Sequence, residues 1–579
     1  MGARFADRDG QLTVTAVDVG SPAWEAGLSV GDAIVLLAVD GNLIWDRRSN
    51  RPPKGTLKEV LELLSHPQSG IEYFFAWQAG KSLRASPTRL KQRPLWKWLP
   101  LFDAQSHLSD AVLWMWHGNY YTAFNQGDRY AGWHVNASAV DGTPQFYPME
   151  RFRHLFLRPE VIRRLVHTRS VAEALRLGRG NNPLRQSFRE VEPPSLELAV
   201  DVREARGPVV PLRLTARAEG NNPDLLPERI ELWLNDYRYH TWDIRGQRQF
   251  HIALEIPTTL LRSGENQITA LAYNPARGRA ELVHYVRKTT PSQKPRRLYG
   301  LAVGVNDYSA HRGADRLRAR SLSDLIYARK DALALHQAWL AYQGPKKCFS
   351  SGEWSVLLDD QVRRLTLHES LARWEDFQRQ GKLQPDDLIV IFFACHGDVV
   401  DEEASSPSSW FIPRWSGTAS EGSFVLCCHD YAPEFASRTA IRGEELIVAL
   451  NRLNCHKLVL LDTCRSGRDV DGGLLRRLIP TGQGPVIIAA CDLHEQSYED
   501  TQLQHGVFTQ AILEALGQRF RAADRNSDGS LTVQELYQYV SRRVPELLQG
   551  SGVEHRQHPI CFPPPHALPH LVLVARSGR

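Results

Sequence analysis

Long apolar runs free of charge are missing from this sequence, and with them any segment of the roughly 20 residues that a membrane-spanning helix needs. The opening residues, MGARFADRDG, lack the apolar stretch of a secretory signal. Cysteine is absent from the first 347 residues. All eight cysteines lie between positions 348 and 561, without framework spacing and without a C-x-x-C pair. A disulfide scaffold is therefore excluded, and a reducing, cytoplasmic compartment is expected. The Cys-His neighbours at 395–396, 428–429 and 455–456 do not suggest zinc, because adjacent strand residues point to opposite faces. A large charge of one sign is also lacking. A net charge of +5 over 579 residues gives no whole-chain argument for nucleic acid or a membrane surface. Locally, residues 151–190 carry ten arginines against three glutamates, read as a solvated helix face or a docking surface for an acidic partner. The length predicts roughly three to five domains.

Residues 1–92 alternate a strand, QLTVTAVDV, with the turn-rich GSPAWEAGLSVGDAIVLLAVDGN and an amphipathic helix, TLKEVLELLS. These phrases resemble a PDZ domain of the bacterial HtrA type. The resemblance implies a groove that adds a C-terminal peptide beside strand 11–19 and under helix 56–65, with a carboxylate loop at Gly2 to Phe5. Residues 93–192 are rich in tryptophan (Trp96, Trp98, Trp114, Trp116, Trp133) and predict short strands followed by a helix, an α+β segment with an aromatic core. They resemble a segment found upstream of protease domains in multidomain bacterial caspase-like proteins. Residues 193–290 hold short alternating strands (SLELAVDV, VPLRLTARAEG, RIELWLND, RQFHIALEI, NQITALAYN), the pattern of an Ig-like antiparallel β-sandwich serving as spacer or docking module. Residues 291–579 alternate strands and helices, predicting a doubly wound α/β sheet.

Two runs in that last region organise the chain. DLIVIFFACHGD and HKLVLLDTCRSG have the composition of strands buried on both faces, and each stops at a polar cluster. In an open α/β sheet the reactive crevice lies beyond the carboxyl ends of the strands. Neighbouring strands would bring His396 and Cys464 together there, a nucleophile with its base. The strand-end His396-Gly397 and the string Leu460 to Gly467 resemble the caspase-like cysteine peptidases of clan CD, across residues 296 to about 517. The resemblance implies that Cys464 attacks the scissile carbonyl and His396 moves the protons. It assigns the oxyanion hole to the backbone N–H groups of Gly397 and Cys464.

Asp462, two residues before the nucleophile, is similar to metacaspases and the paracaspase, which cut after Arg or Lys. Asp331 and Glu495 match further pocket acids of that group, and three carboxylates would hold a guanidinium and repel an anionic side chain. The substrates so implied are proteins with Arg or Lys before the scissile bond. The loop 398–420 and RSGRDVDGGLLRR are expected to include self-cleavage segments. A catalytically silent scaffold that binds partners through its PDZ and sandwich domains is the competing reading. A bacterial stress or immune cascade follows from the architecture by analogy alone.

A second motif, DRNSDGSLTVQE, fits an EF-hand loop. Asp524, Asn526, Asp528, Ser530 and Glu535 stand at calcium-ligand positions and Gly529 at the sharp turn. A single such loop predicts at most a regulatory Ca²⁺ site, and no cofactor is expected for the chemistry.

Overall fold

The computed structural model describes residues 2–18, 21–47, 56–66, 72–79, 82–89, 95–102, 108–115, 120–124, 127–135, 145–177, 193–218, 222–276, 278–290, 294–308, 322–400, 423–465, 474, 478–479, 483–491, 495–549, 556–563, 565 and 568–576. They form two compact units, 1–192 and 193–579. Among the described residues no helix is long and apolar enough to cross a membrane.

In the first unit, strands Ala3–Arg8, Gln11–Val17, Ala33–Val39, Glu72–Ala79 and Ser82–Arg89 lie side by side in that order, with Asn42–Asp46 folded back on Ala33–Val39. Alternation in Gln11–Val17 buries Leu12 and Val14, and a register irregularity between Ile34 and Leu36 turns Ile34 and Leu37 to the same core, with Val60 and Leu64 of helix Leu57–Ser65. Thr56 starts that helix with a capping box, its hydroxyl accepting from Glu59 N while Glu59 accepts from Thr56 N. The strand expected to lie at the sheet edge does not lie there. Gln11–Val17 is paired on both sides, and the edge strand beside the helix is Ala3–Arg8.

The tryptophan-rich part adds a meander of Trp96–Phe102, Leu108–Met115 and Tyr121–Phe124, followed by helices Pro159–Thr168 and Val171–Leu177. Trp133 packs into a core with Tyr121, Phe152 and Phe156, whereas Trp96 and Trp98 are exposed. Trp24 belongs to this same core, so both halves of the unit share apolar packing. Trp116 lies outside the described residues.

The second unit begins with two β-sheets that enclose one apolar core. Ser195–Val200, Val209–Arg217 and Gln249–Pro257 face Arg279–Lys288, Gly264–Tyr273, Arg229–Leu234 and Tyr237–Asp243, and Leu212, Leu214, Ile230, Leu232, Ile268 and Val286 meet between them. Next comes an eight-stranded mixed sheet. Its main path runs Trp354–Leu358, Leu298–Gly304, Leu388–Val400, His456–Arg465, Val486–Ala489 and Ile560–Phe562, parallel until the last antiparallel strand. Helices Ala328–Leu340, Val507–Leu516 and Val533–Gln549 cover one face, while Arg364–Arg379 and Gly443–Leu450 cover the other. The central strands are apolar throughout because both of their faces are covered.

The strand that carries His396 does not stop there. It continues to Val400 because Gly397–Val400 pair antiparallel with Ser423–Leu426. Of the two expected self-cleavage segments, 401–422 and most of 466–477 lie outside the described residues.

The sandwich is more than a spacer, since it docks at the amino ends of the two central strands. Wholly buried Lys457 reaches Asp236 Oδ2 at 3.2 Å and the Leu453 carbonyl at 2.6 Å. Arg262 bonds both Asp236 and the Cys455 carbonyl, Ser263 bonds Asp386 at 2.7 Å, and Asn454 Nδ2 donates to the Leu260 carbonyl at 2.9 Å. A buried ammonium is tolerated only when paired and hydrogen-bonded, and here the counter-charge comes from the other domain.

Candidate active site

Parallel register sets His396 opposite Cys464 and Ala394 opposite Asp462 on neighbouring strands. Backbones so paired run about 4.8 Å apart. The Cys464 side chain lies outside the described residues.

His396 is buried, and two neighbours hold it. Nε2 stands 2.7 Å from the Ser323 carbonyl, a pure acceptor, so Nε2 carries the proton. Nδ1 is then the lone-pair nitrogen, and it has no hydrogen-bond partner among the described residues. The His396 N–H donates to Tyr308 Oη at 3.0 Å, and the tyrosine ring lies 4.9 Å from the imidazole. Burial pulls the pKa of His396 below its ordinary 6.5, outweighing the Ser323 hydrogen bond and the nearby carboxylates Glu499, Asp324 and Asp398. The ring is thus a neutral base at neutral pH.

Tyr308 and Ser323 were not anticipated from the sequence. Ser323 acts through its carbonyl, which leaves no trace in residue type. Tyr308 sits just past the end of strand Leu298–Gly304, one turn-length from the crevice. Gly397 lies within its strand, between Leu426 on one side and Arg465 on the other.

Two expected pocket acids come together. Asp331, in the first turn of helix Ala328–Leu340, and Asp462 both border Gly506. A Cβ there would lie 2.6 Å from Asp462 Oδ2 and 3.1 Å from Asp331 Oδ2, so glycine is the residue that permits the approach. Asp462 accepts from Ser497 Oγ and Thr509 Oγ1, each at 2.6 Å. Asp331 accepts from Gly506 N at 2.9 Å and is hydrogen-bonded to His505 Nδ1. Desolvation chiefly, with the Asp331 charge second, pushes Asp462 up to about 7. Desolvation also raises Asp331, against the hydrogen bonds from His505 and Gly506.

Glu495 is placed differently from the expectation. Its carboxylate bonds His558 through both N and Nδ1, at 2.7 Å each. The third acid whose charge reaches Asp331, Asp462 and His396 is Glu499, four residues on. Glu499 accepts from Ile326 N and Tyr327 N, just before the Asp331 helix.

The EF-hand-like segment folds as a tight turn, with Gly529 at φ +81°. Asp524 accepts from Asp528 N and Gly529 N, and Asp528 from Ser530 N; Asn526 Oδ1 accepts from Asp528 N. Glu535 is turned onto backbone donors, accepting from Arg525 N at 3.1 Å and Thr532 N at 3.0 Å. Strand Ser530–Thr532 pairs with Val572–Ala575, which takes the position a second loop would fill. Among the described residues no group of three or more His, Cys, Asp or Glu side chains is gathered to hold a metal ion. Asp524, Asn526, Asp528 and Glu535 thus each hydrogen-bond within the loop, and Ser530 joins the strand pair.

Comparison with known proteins bears on the same region. The family model described as a caspase domain matches residues 299–563, the span of the mixed sheet and its helices. No curated protein matches the chain. Among solved structures it is similar to protein GSU0716 from Geobacter sulfurreducens, at 13% identity and TM-score 0.30, over 49% of this chain and 95% of that one. It also matches a cycloisomaltooligosaccharide glucanotransferase from a Paenibacillus species at 10% identity and TM-score 0.13, over 48% of this chain and 39% of that one. Likenesses this slight carry no argument about fold or function. The caspase-domain match does, and it points to cysteine-peptidase chemistry, which needs no cofactor.

Proposed function

We propose that this caspase-domain chain is a cysteine endopeptidase that cleaves proteins after Arg or Lys. The observation that carries the reading is the register of two adjacent strands, which sets His396 opposite Cys464 with Asp462 two residues upstream and Asp331 beside it.

In this mechanism the Ser323 carbonyl fixes the Nε2–H tautomer, leaving Nδ1 to take the thiol proton from Cys464. The thiolate attacks the scissile carbonyl, and the backbone N–H groups of Gly397 and Cys464 receive the developing oxyanion. Nδ1–H then protonates the leaving amine, and water, deprotonated by the same nitrogen, hydrolyses the thioester. Asp331 and Asp462 bind the cationic side chain before the scissile bond. Bringing a guanidinium to a buried carboxylate pair restores their ionisation, whereas an aspartyl side chain would add a third anion. No step uses calcium.

The first unit has a recruiting role in this reading. Edge strand Ala3–Arg8 beside helix Leu57–Ser65 offers unpaired backbone to an extended C-terminal peptide, as PDZ domains do.

Fluorogenic peptides ending in Arg, Lys or Asp test the specificity. Cleavage of the first two, abolished by Cys464→Ala, is expected. Equal turnover by wild type and variant, or preference for Asp, would overturn the reading and leave a partner-binding scaffold.

A further inference from the structure

The acidic pair already has a partner inside the protein. Strands Glu499–Asp500 and His505–Gly506 form a small hairpin, with Glu499 opposite Gly506 and Asp500 opposite His505. Its first strand fixes the chain before the Asp331 helix, through Glu499 on the Ile326 and Tyr327 N–H groups. Its second strand delivers two donors to Asp331, the His505 ring to Oδ1 and the Gly506 N–H to Oδ2. The charged groups around the ring are Asp331 and Lys330 from the helix, Asp462 from the cysteine strand, and Glu499 and Asp500 from the hairpin. Lys330 is turned away from the pair, onto Gln504 Oε1 at 2.8 Å. Asp462 is held by neutral hydroxyls alone. His505 is therefore the one ring or cationic side chain seen bonding the pair among the described residues.

We infer that His505 is a specificity-determining residue. Its imidazole stands in for the substrate's cationic side chain at Asp331 and is displaced when a guanidinium, amidine or ammonium binds. This rests on the Arg/Lys reading above and deepens it. The physical reason is competition for one carboxylate. Asp331 is almost wholly buried, and a buried carboxylate left without a donor is costly. In the substrate-free protein His505 meets that need, so an incoming cation replaces a bond rather than making a new one. The site thereby selects ligands that bind Asp331 better than a neighbouring imidazole does, which favours bidentate cations over single donors.

The test is binding of benzamidine, a small amidine cation, to the full chain at about pH 8, above the value of about 7 to which Asp462 is raised. His505→Ala removes the internal competitor, and benzamidine is expected to bind about tenfold more tightly, the worth of one hydrogen bond to a charged group. His505→Lys supplies a tethered cation, and binding is expected to weaken about tenfold or more, with KM for an Arg peptide moving in the same direction. Opposite shifts from the two variants separate displacement from a merely structural role, in which both would weaken binding. If wild type binds benzamidine and both variants weaken it alike, or neither moves it, His505 is not the stand-in. If wild type does not bind benzamidine and does not cleave Arg peptides, the cationic-substrate reading falls and takes this inference with it.

Discussion

Replacing Asp462 with asparagine should make the protein more stable and less useful. The side chain keeps its shape, and its amide can donate to Ser497 Oγ or Thr509 Oγ1, since hydroxyls accept as well as donate. What it loses is a charge that burial disfavours. In the folded protein Asp462 titrates near 7, against an ordinary 3.8. A shift of about three units corresponds to roughly 4 kcal/mol, part of it shared with Asp331. The folded-state value lies above the unfolded one, so the folded chain holds the extra proton between about pH 4 and pH 7. The stability this contributes is complete below pH 4 and lost as pH rises through 7. Asparagine has no proton to lose. Denaturant unfolding of wild type and Asp462→Asn at about pH 5 and pH 8 should therefore show the variant gaining about 2–3 kcal/mol relative to wild type between the two. Turnover of Arg peptides should fall by about 100-fold or more, the usual conflict between a strained site and stability. A variant equally destabilised at both pH values, with Arg-peptide cleavage intact, would refute the argument.

Other outcomes follow from the same geometry. The free-enzyme quantity kcat/KM for Arg peptides should drop as pH falls through about 7, following Asp462, while kcat holds to below 6.5 because burial lowers His396; a pH–rate profile checks both limbs. Tyr308→Phe removes the acceptor of the His396 N–H and should lower kcat about 2- to 10-fold with KM little changed, read by steady-state kinetics. Asp236→Ala strands the buried Lys457 and Arg262 and should cost about 3–5 kcal/mol, while adding Lys457→Met should recover only part of it in denaturant unfolding, since Arg262 still lacks its carboxylate. Turnover in excess EDTA should equal turnover with calcium added, since no step uses the metal.

The main frame was legible because burial on both faces leaves an unmistakable run. LIVIFFA and KLVLL can hardly be anything but central strands, and each leads into a residue of the proposed site. Asp331 could be named only through the resemblance, which matches it to a pocket acid; nothing in its helix singles it out. Glu499 was missed: the resemblance pointed to Glu495, and no periodicity in this stretch of sequence singles out one carboxylate. Ser323 was invisible because it contributes a backbone carbonyl. Nothing in the sequence marks Lys457 as a buried, paired ammonium, since its counter-charge, Asp236, lies 221 residues away in the chain. The same distance explains why the sandwich read as a spacer: its docking depends on pairs that only the folded chain brings together. The EF-hand pattern shows the opposite limit. Asp, Asn and Gly at those spacings suit a calcium loop and a self-bonded turn equally well, and the hydrogen bonds from Asp528 N and Gly529 N to Asp524 fit both.

The central claim is most directly tested by trapping the nucleophile. Full-length protein is treated with a peptidyl acyloxymethyl ketone that carries Arg next to its warhead, and the site of attachment is mapped by mass spectrometry. One adduct on Cys464, slowed by His396→Ala and not formed by the Asp analogue of the reagent, is the predicted result. Labelling of another cysteine, or equal labelling by the Arg and Asp reagents, would contradict it.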